Sequence, residues 1–178
     1  MNGELNFESA LIERVSLLAG LDESVISHVL NTRITYMSGG VELLRTMKSV
    51  GGYTALVSGG FTAFTTQVAV TLGFDENRAN TLLVKNGKLS GSVSCPILGR
   101  EAKVKALAEI TVKIGIQEQD VIAVGDGAND LGMLMRAGVG VALHAKPNVQ
   151  AQCNVRVNHG DLSALLFVQG YSRADFIV

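Results

Sequence analysis

Cysteine, histidine and net charge are all scarce in this chain, and each scarcity removes a class of function. Cys95 and Cys153 stand far apart and alone, too few for a disulfide framework or a zinc cluster, and are expected to be reduced thiols. His28, His144 and His159 show no ligand spacing either. A formal charge of -1 provides no global attraction to nucleic acid or to an anionic membrane, so neither is expected as a partner. No apolar run approaches the ~20 residues that span a bilayer. The opening Met1-Asn2-Gly3-Glu4 has neither a basic stretch nor an apolar signal core. A soluble protein with a cytoplasmic address is the resulting expectation.

What the sequence does have is the material for a core. Of 178 residues, 47% are apolar and only 17% charged, a balance typical of globular domains and far from that of disordered chains. A chain of this length makes one domain, or a domain with a small appendage, and buries roughly 70% of its unfolded surface.

Phe7, Leu11, Val15 and Leu18 recur at helical spacing, and Val25, Val29 and Leu30 predict a second short helix after Leu21-Asp22-Glu23. A strand over 34–36, a Gly39-Gly40 turn, a helix over 41–49 and a strand over 53–57 follow. Beyond Ser58-Gly59-Gly60 the pattern predicts a helix over 61–72 and a hairpin about Asn86-Gly87. It then predicts a helix over 101–114, a strand over 121–124 and a helix over 128–137. Strands over 139–143 and 155–157 and a last helix from Asp161 complete the pattern. Helices alternating with short apolar strands imply an α/β fold, a doubly wound parallel sheet covered on both faces. The boundary falls near 32–34, between a helical segment, 1–33, and an α/β body, 34–178; there is no internal repeat.

In such a sheet, ligands bind beyond the carboxyl ends of the strands. Val57-Ser58-Gly59-Gly60-Phe61 puts a hydroxyl and glycine backbone donors before a helix, which suits either an anion cradle or a capped helix with a glycine turn. It is not a Gly-x-Ser-x-Gly nucleophile elbow, because Leu56 stands where the first glycine belongs. The second strand end, Val121 to Val124, runs into Gly125-Asp126-Gly127-Ala128-Asn129-Asp130. Two carboxylates four residues apart repel unless a cation or a proton intervenes. A hard ion with oxygen ligands, Mg2+, resolves this; an acid-rich helix opening that complements the dipole is the plainer alternative. A dinucleotide fingerprint fails because its third glycine would be Asp130, and a calcium loop fails at Ala128 and Leu131. A cradle and a magnesium carboxylate on neighbouring strand ends point to phosphoryl chemistry. Lys103 and Lys105, on the helix before the acidic strand, cannot be told apart by composition. On the first helix Arg14 falls in line with Phe7, Leu11 and Leu18, where it either snorkels to water or grips a ligand carboxylate with Phe7 as an apolar wall.

Ser58-Gly59-Gly60-Phe61, Lys103 and Gly125 to Asp130 together resemble the second, third and fourth motifs of haloacid dehalogenase phosphatases. The run from Val124 to Leu131, followed by His144-Ala145-Lys146-Pro147, is similar to the phosphoserine phosphatase family, and Met1 to Leu18 resembles its helical cap. The resemblance implies hydrolysis of a small phosphomonoester, L-phosphoserine, to L-serine and phosphate, the last step of serine biosynthesis. It implies that Ser58, Gly59 and Asn129 bind the phosphate and that Arg14 and Phe7 contact the amino-acid end. Lys103 and Asp130 would act in catalysis, and Asp126 would bind Mg2+. Another small phosphomonoester, or phosphate binding without turnover, are the alternatives. Gly132, where many relatives have proline, and Ser38-Gly39 in place of Pro-Gly are departures of small consequence. The family's first motif, Asp-x-Asp-x-Thr, supplies the nucleophile and the general acid and base, and no Asp-x-Asp occurs anywhere in the 178 residues. Met1 falls opposite an internal methionine of relatives. The expectation is a chain without the usual first core strand and without turnover of its own, from a mis-set start, an incomplete gene model or a truncated gene.

Overall fold

Val141, Ala142 and Leu143 show how the sheet is laid down: successive side chains on a strand point to opposite faces, and these three alternate between two cores. The computed structural model describes residues 2–178, with side chains from Phe7 onward. Strands β5 (Ile122–Gly125), β6 (Val139–Leu143) and β7 (Val155–Val157) pair in parallel, with Ile122 opposite Val139 and Val141 opposite Val155. On one face Ala123 and Ala142 pack with Leu131 and Leu134 of α6 (Leu131–Arg136) and Val149 of α7 (Pro147–Gln150). On the other, Val141, Leu143 and Val157 pack with Leu165 of α8 (Ala164–Val168) and with Leu43 of α3 (Gly40–Ser49). The doubly wound arrangement expected from the alternation of helices and apolar strands is therefore present.

A second parallel pair, β1 (Ala55–Phe61) and β2 (Glu76–Asn80), flanks α4 (Thr62–Leu72). β1 and β5 are not hydrogen-bonded to each other, so the parallel strands form two separate sheets and each of these strands has an edge without a strand partner among the described residues. Helices span the break. Leu43 of α3 reaches the β5–β7 core, while a Cβ built on Gly40 would meet Leu162 and Leu72 of α4. From α5 (Arg100–Ile114), Lys113 and Glu109 pair with Glu76 and Arg78 of β2, and Val104 abuts Gly132 of α6.

Helices α1 (Asn2–Ser16) and α2 (Ser24–Arg33) form the expected helical segment. The hairpin is also as expected, β3 (Leu82–Lys85) and β4 (Lys88–Val93) turning at Asn86 and Gly87, both at positive φ. It packs on α1 and pairs with the turn that follows it, where Gly20 N–H donates to Leu89 O and Leu89 N–H to Leu21 O, each at 2.9 Å. No helix among the described residues is long and apolar enough to cross a membrane.

Sequence pattern and structure differ at five elements. Residues 34–36 are irregular, not a strand, because no partner strand lies beside them among the described residues. β2 was not foreseen, since Glu76-Asn77-Arg78-Ala79-Asn80 has almost no apolar signal. β1 runs on through Ser58-Gly59-Gly60 to Phe61, so the cradle residues end a strand rather than follow one. Helix α6 begins at Leu131 instead of near 128, and the last helix at Ala164.

Candidate active site

Because α6 starts late, Asp126 to Asp130 form a turn and not a helix opening. Asp130 stands at the N-cap, 2% exposed, and its carboxylate folds back under the end of β5. Oδ2 accepts the N–H groups of Asp126 at 3.1 Å and Gly127 at 3.0 Å, and Oδ1 accepts the Lys103 ammonium. Gly125 makes this approach feasible: a Cβ there would lie 2.4 Å from Asp130 Cβ, closer than two carbons can come. The turn is held from outside as well, Lys146 N–H donating to Asp126 O at 3.1 Å.

Two assignments follow for the charges. The cation that relieves the carboxylate pair is Lys103, which takes the charge of Asp130 and leaves Asp126 exposed as the free carboxylate of the turn. The same contact separates the two lysines: the Lys103 side chain is 13% exposed, whereas Lys105 is 76% exposed and only meets Glu109 at 3.6 Å.

At the other strand end the register between β1 and β2 shifts between Val57 and Phe61. Ser58 Oγ accepts the Gly60 N–H at 3.0 Å, folding the glycines into a bulge. Phe7 of α1 is half-buried over it: a Cβ on Gly59 would lie 3.4 Å from its ring, and one on Gly99 would lie 3.6 Å away. Arg14 is exposed and enters no ion pair among the described residues; the buried centre of the α1 stripe is Val15, 2% exposed, so Arg14 lies beside the stripe and not within it. Asn129 is exposed on the acidic turn.

Mg2+ is commonly held by one or two carboxylates with water and substrate oxygens filling the octahedron. Asp126 fits that role as a single exposed donor beside a neutralised partner, and no group of three or more His, Cys, Asp or Glu able to enclose a metal occurs among the described residues. The residues fit an ion shared with substrate and not a protein-enclosed one.

Asn80 is the site residue that sequence reasoning missed. Buried at the end of β2, it donates to Gly59 O at 3.0 Å and accepts Leu98 N–H at 2.7 Å. Only recognition of β2 as a strand would have drawn attention to it.

Comparison with known proteins bears on this geometry. A family model for haloacid dehalogenase-like hydrolases matches residues 1–135. Phosphoserine phosphatase of Haemophilus influenzae is 43% identical over 166 residues, covering 93% of this chain and 52% of that protein, so the chain spans about half of that relative. A solved substrate-bound phosphoserine phosphatase complex matches with a TM-score of 0.87 at 39% identity, covering 94% of this chain and 80% of the other. A phospho-aspartyl intermediate analogue of phosphoserine phosphatase matches with a TM-score of 0.86 at 38% identity, covering 92% and 78%. With the Lys103–Asp130 pair, the Ser58 bulge and the acidic turn of its parallel sheet in place, this chain belongs to the haloacid dehalogenase-like hydrolases, on their phosphoserine phosphatase branch.

Proposed function

We propose that the chain serves hydrolysis of L-phosphoserine to L-serine and phosphate, the last step of serine biosynthesis, with a cytoplasmic address. What supports this is the buried Lys103–Asp130 pair and the exposed carboxylate of Asp126 at the end of β5, together with the serine–glycine bulge at the end of β1. Ser58 and the Gly59 backbone hold the phosphoryl oxygens, Asn129 contacts them from the acidic turn, and Lys103 neutralises the charge that develops as the ester bond breaks. Asp130 keeps Lys103 aimed. Asp126 would hold Mg2+, which when bound would supply positive charge to the phosphoryl group. Phe7 walls the amino-acid end, and Arg14 grips its carboxylate through a forked contact.

In aspartyl-phosphate chemistry, a carboxylate attacks phosphorus as the seryl oxygen leaves with a proton, and water then cleaves the acyl phosphate. Neither the attacking carboxylate nor its acid–base partner is among the residues gathered here, since no Asp-x-Asp occurs in the 178 residues. The alternative reading is that these residues bind phosphate or phosphoserine without turnover.

The test compares residues 1–178 with a polypeptide carrying an Asp-x-Asp-x-Thr segment ahead of them, assaying phosphoserine hydrolysis with Mg2+. Turnover in the longer form, lost by several orders of magnitude in the shorter, supports the proposal. Phosphate binding by both forms with turnover by neither would establish the second reading instead. Equal turnover by the short form would show that the nucleophile is misassigned.

A further inference from the structure

We infer that Asn80 is a positioning residue that locks the Ser58–Gly59 bulge to the turn launching the Lys103 helix, so that anion cradle and cation are presented as one unit. β1 and β2 pair from Ala55 opposite Glu76 to Val57 opposite Arg78, and resume only at Phe61 opposite Asn80. Ser58, Gly59 and Gly60 therefore fall in the gap in register, and the Gly59 carbonyl is left without a ladder donor. The Asn80 side chain supplies one: Nδ2 donates to Gly59 O at 3.0 Å, while Oδ1 accepts Leu98 N–H at 2.7 Å. Leu98 lies two residues before α5, and Lys103 is in its first turn.

Asn80 is 2% exposed, among the largest fully buried side chains of the protein. A buried amide is costly unless its polar atoms are satisfied, and an apolar residue would fill the same space more cheaply. Its bonds go to the β1 bulge that carries the cradle and to the loop that leads into the lysine's helix. The ring of Phe7 rests over glycines in both, Gly59 and Gly99, so the joined loops are also the seat of the helical segment above them. This inference rests on the proposed phosphoryl-binding role of Ser58 and Lys103.

The test uses the full chain with Asn80→Ala and Asn80→Asp, measuring inorganic phosphate affinity in the presence of Mg2+ together with amide hydrogen exchange. Asn80→Ala is expected to weaken phosphate binding at least tenfold and to expose the Leu98 and Gly60 amides to exchange. Protection at Val141 and Leu166, in the β6 and α8 core, should stay unchanged. Asn80→Asp retains an acceptor for Leu98 N–H but sets a second oxygen against Gly59 O; it should keep Leu98 protected and release Gly60. Protection falling in equal proportion at Val141, Leu166, Leu98 and Gly60 would mean that Asn80 only supports the fold. Wild-type affinity in both variants would overturn the inference while leaving the phosphoryl reading intact. Failure of the unaltered chain to bind phosphate would overturn both.

Discussion

Replacing Asp130 by asparagine removes one charge from a buried pair and leaves its partner in place. The carboxylate, 3% exposed, receives three donors, the Lys103 ammonium and the N–H groups of Asp126 and Gly127. Asparagine has a single acceptor oxygen. If that oxygen faces the two backbone N–H groups, its NH2 faces the Lys103 ammonium, and a lysine only 13% exposed is left with its charge uncompensated. Breaking a buried pair in this way costs about 3–5 kcal/mol, and the residual exposure of Lys103 puts the expected loss near the lower end, about 3 kcal/mol. Lys103→Met should cost less, about 1–3 kcal/mol, since Asp130 keeps two backbone donors. In the double variant no charge is stranded, so the two losses should fall short of additivity by about 2 kcal/mol. Urea unfolding of the four proteins, with the slope m confirmed equal, provides the cycle. Additive losses, or a loss below about 1 kcal/mol for Asp130→Asn, would show that the pair is solvated and that Lys103 is not held as described.

Three further outcomes are expected. Asp126→Asn should raise the Mg2+ concentration needed for half-maximal activity in a polypeptide that includes the Asp-x-Asp-x-Thr segment, because a charged oxygen ligand becomes a neutral one; an unchanged magnesium titration would remove Asp126 from the metal site. In that same polypeptide Arg14→Ala should lower kcat/KM for phosphoserine about 10- to 150-fold, the equivalent of roughly 1.5–3 kcal/mol, and spare a phosphomonoester without a carboxylate; equal losses on both would assign Arg14 a structural role. The ammonium of Lys113, with Arg78 and the Tyr53 hydroxyl, holds the Glu76 carboxyl down to about 2. Its stabilising contribution is thus complete above the ordinary value of 4.5 and is lost as pH falls from there towards 2. With Lys113 57% exposed, screening reduces this to about 1–2 kcal/mol, and Glu76→Gln should flatten the acid limb of a stability–pH curve by that amount. Coincident acid limbs would refute the linkage.

Much of this molecule is decided locally and so is legible in the chain alone. Apolar runs of strand length alternating with helical periodicity specify a parallel sheet because each element has to bury its apolar side against the next. Asn86-Gly87 specifies the hairpin because both residues tolerate positive φ. Gly125 to Asp130 announces a site because carboxylates at a strand end are costly without compensation. What compensates them is not local. Lys103 and Lys105 have the same chemistry, and only the packing of α5 beside the acidic turn turns one towards Asp130 and the other to solvent. Arg14 occupies a helical position one residue from the buried Val15, and which of the two faces inward depends on what the helix meets. β2 has no hydrophobic signature because polar bonds stabilise it instead: Glu76 and Arg78 to α5, Asn77 to Thr65, and Asn80 to the Ser58 bulge and Leu98. These partners are distant in sequence, so their pairing energy exists only once the chain has brought them together, and tertiary structure alone decides it.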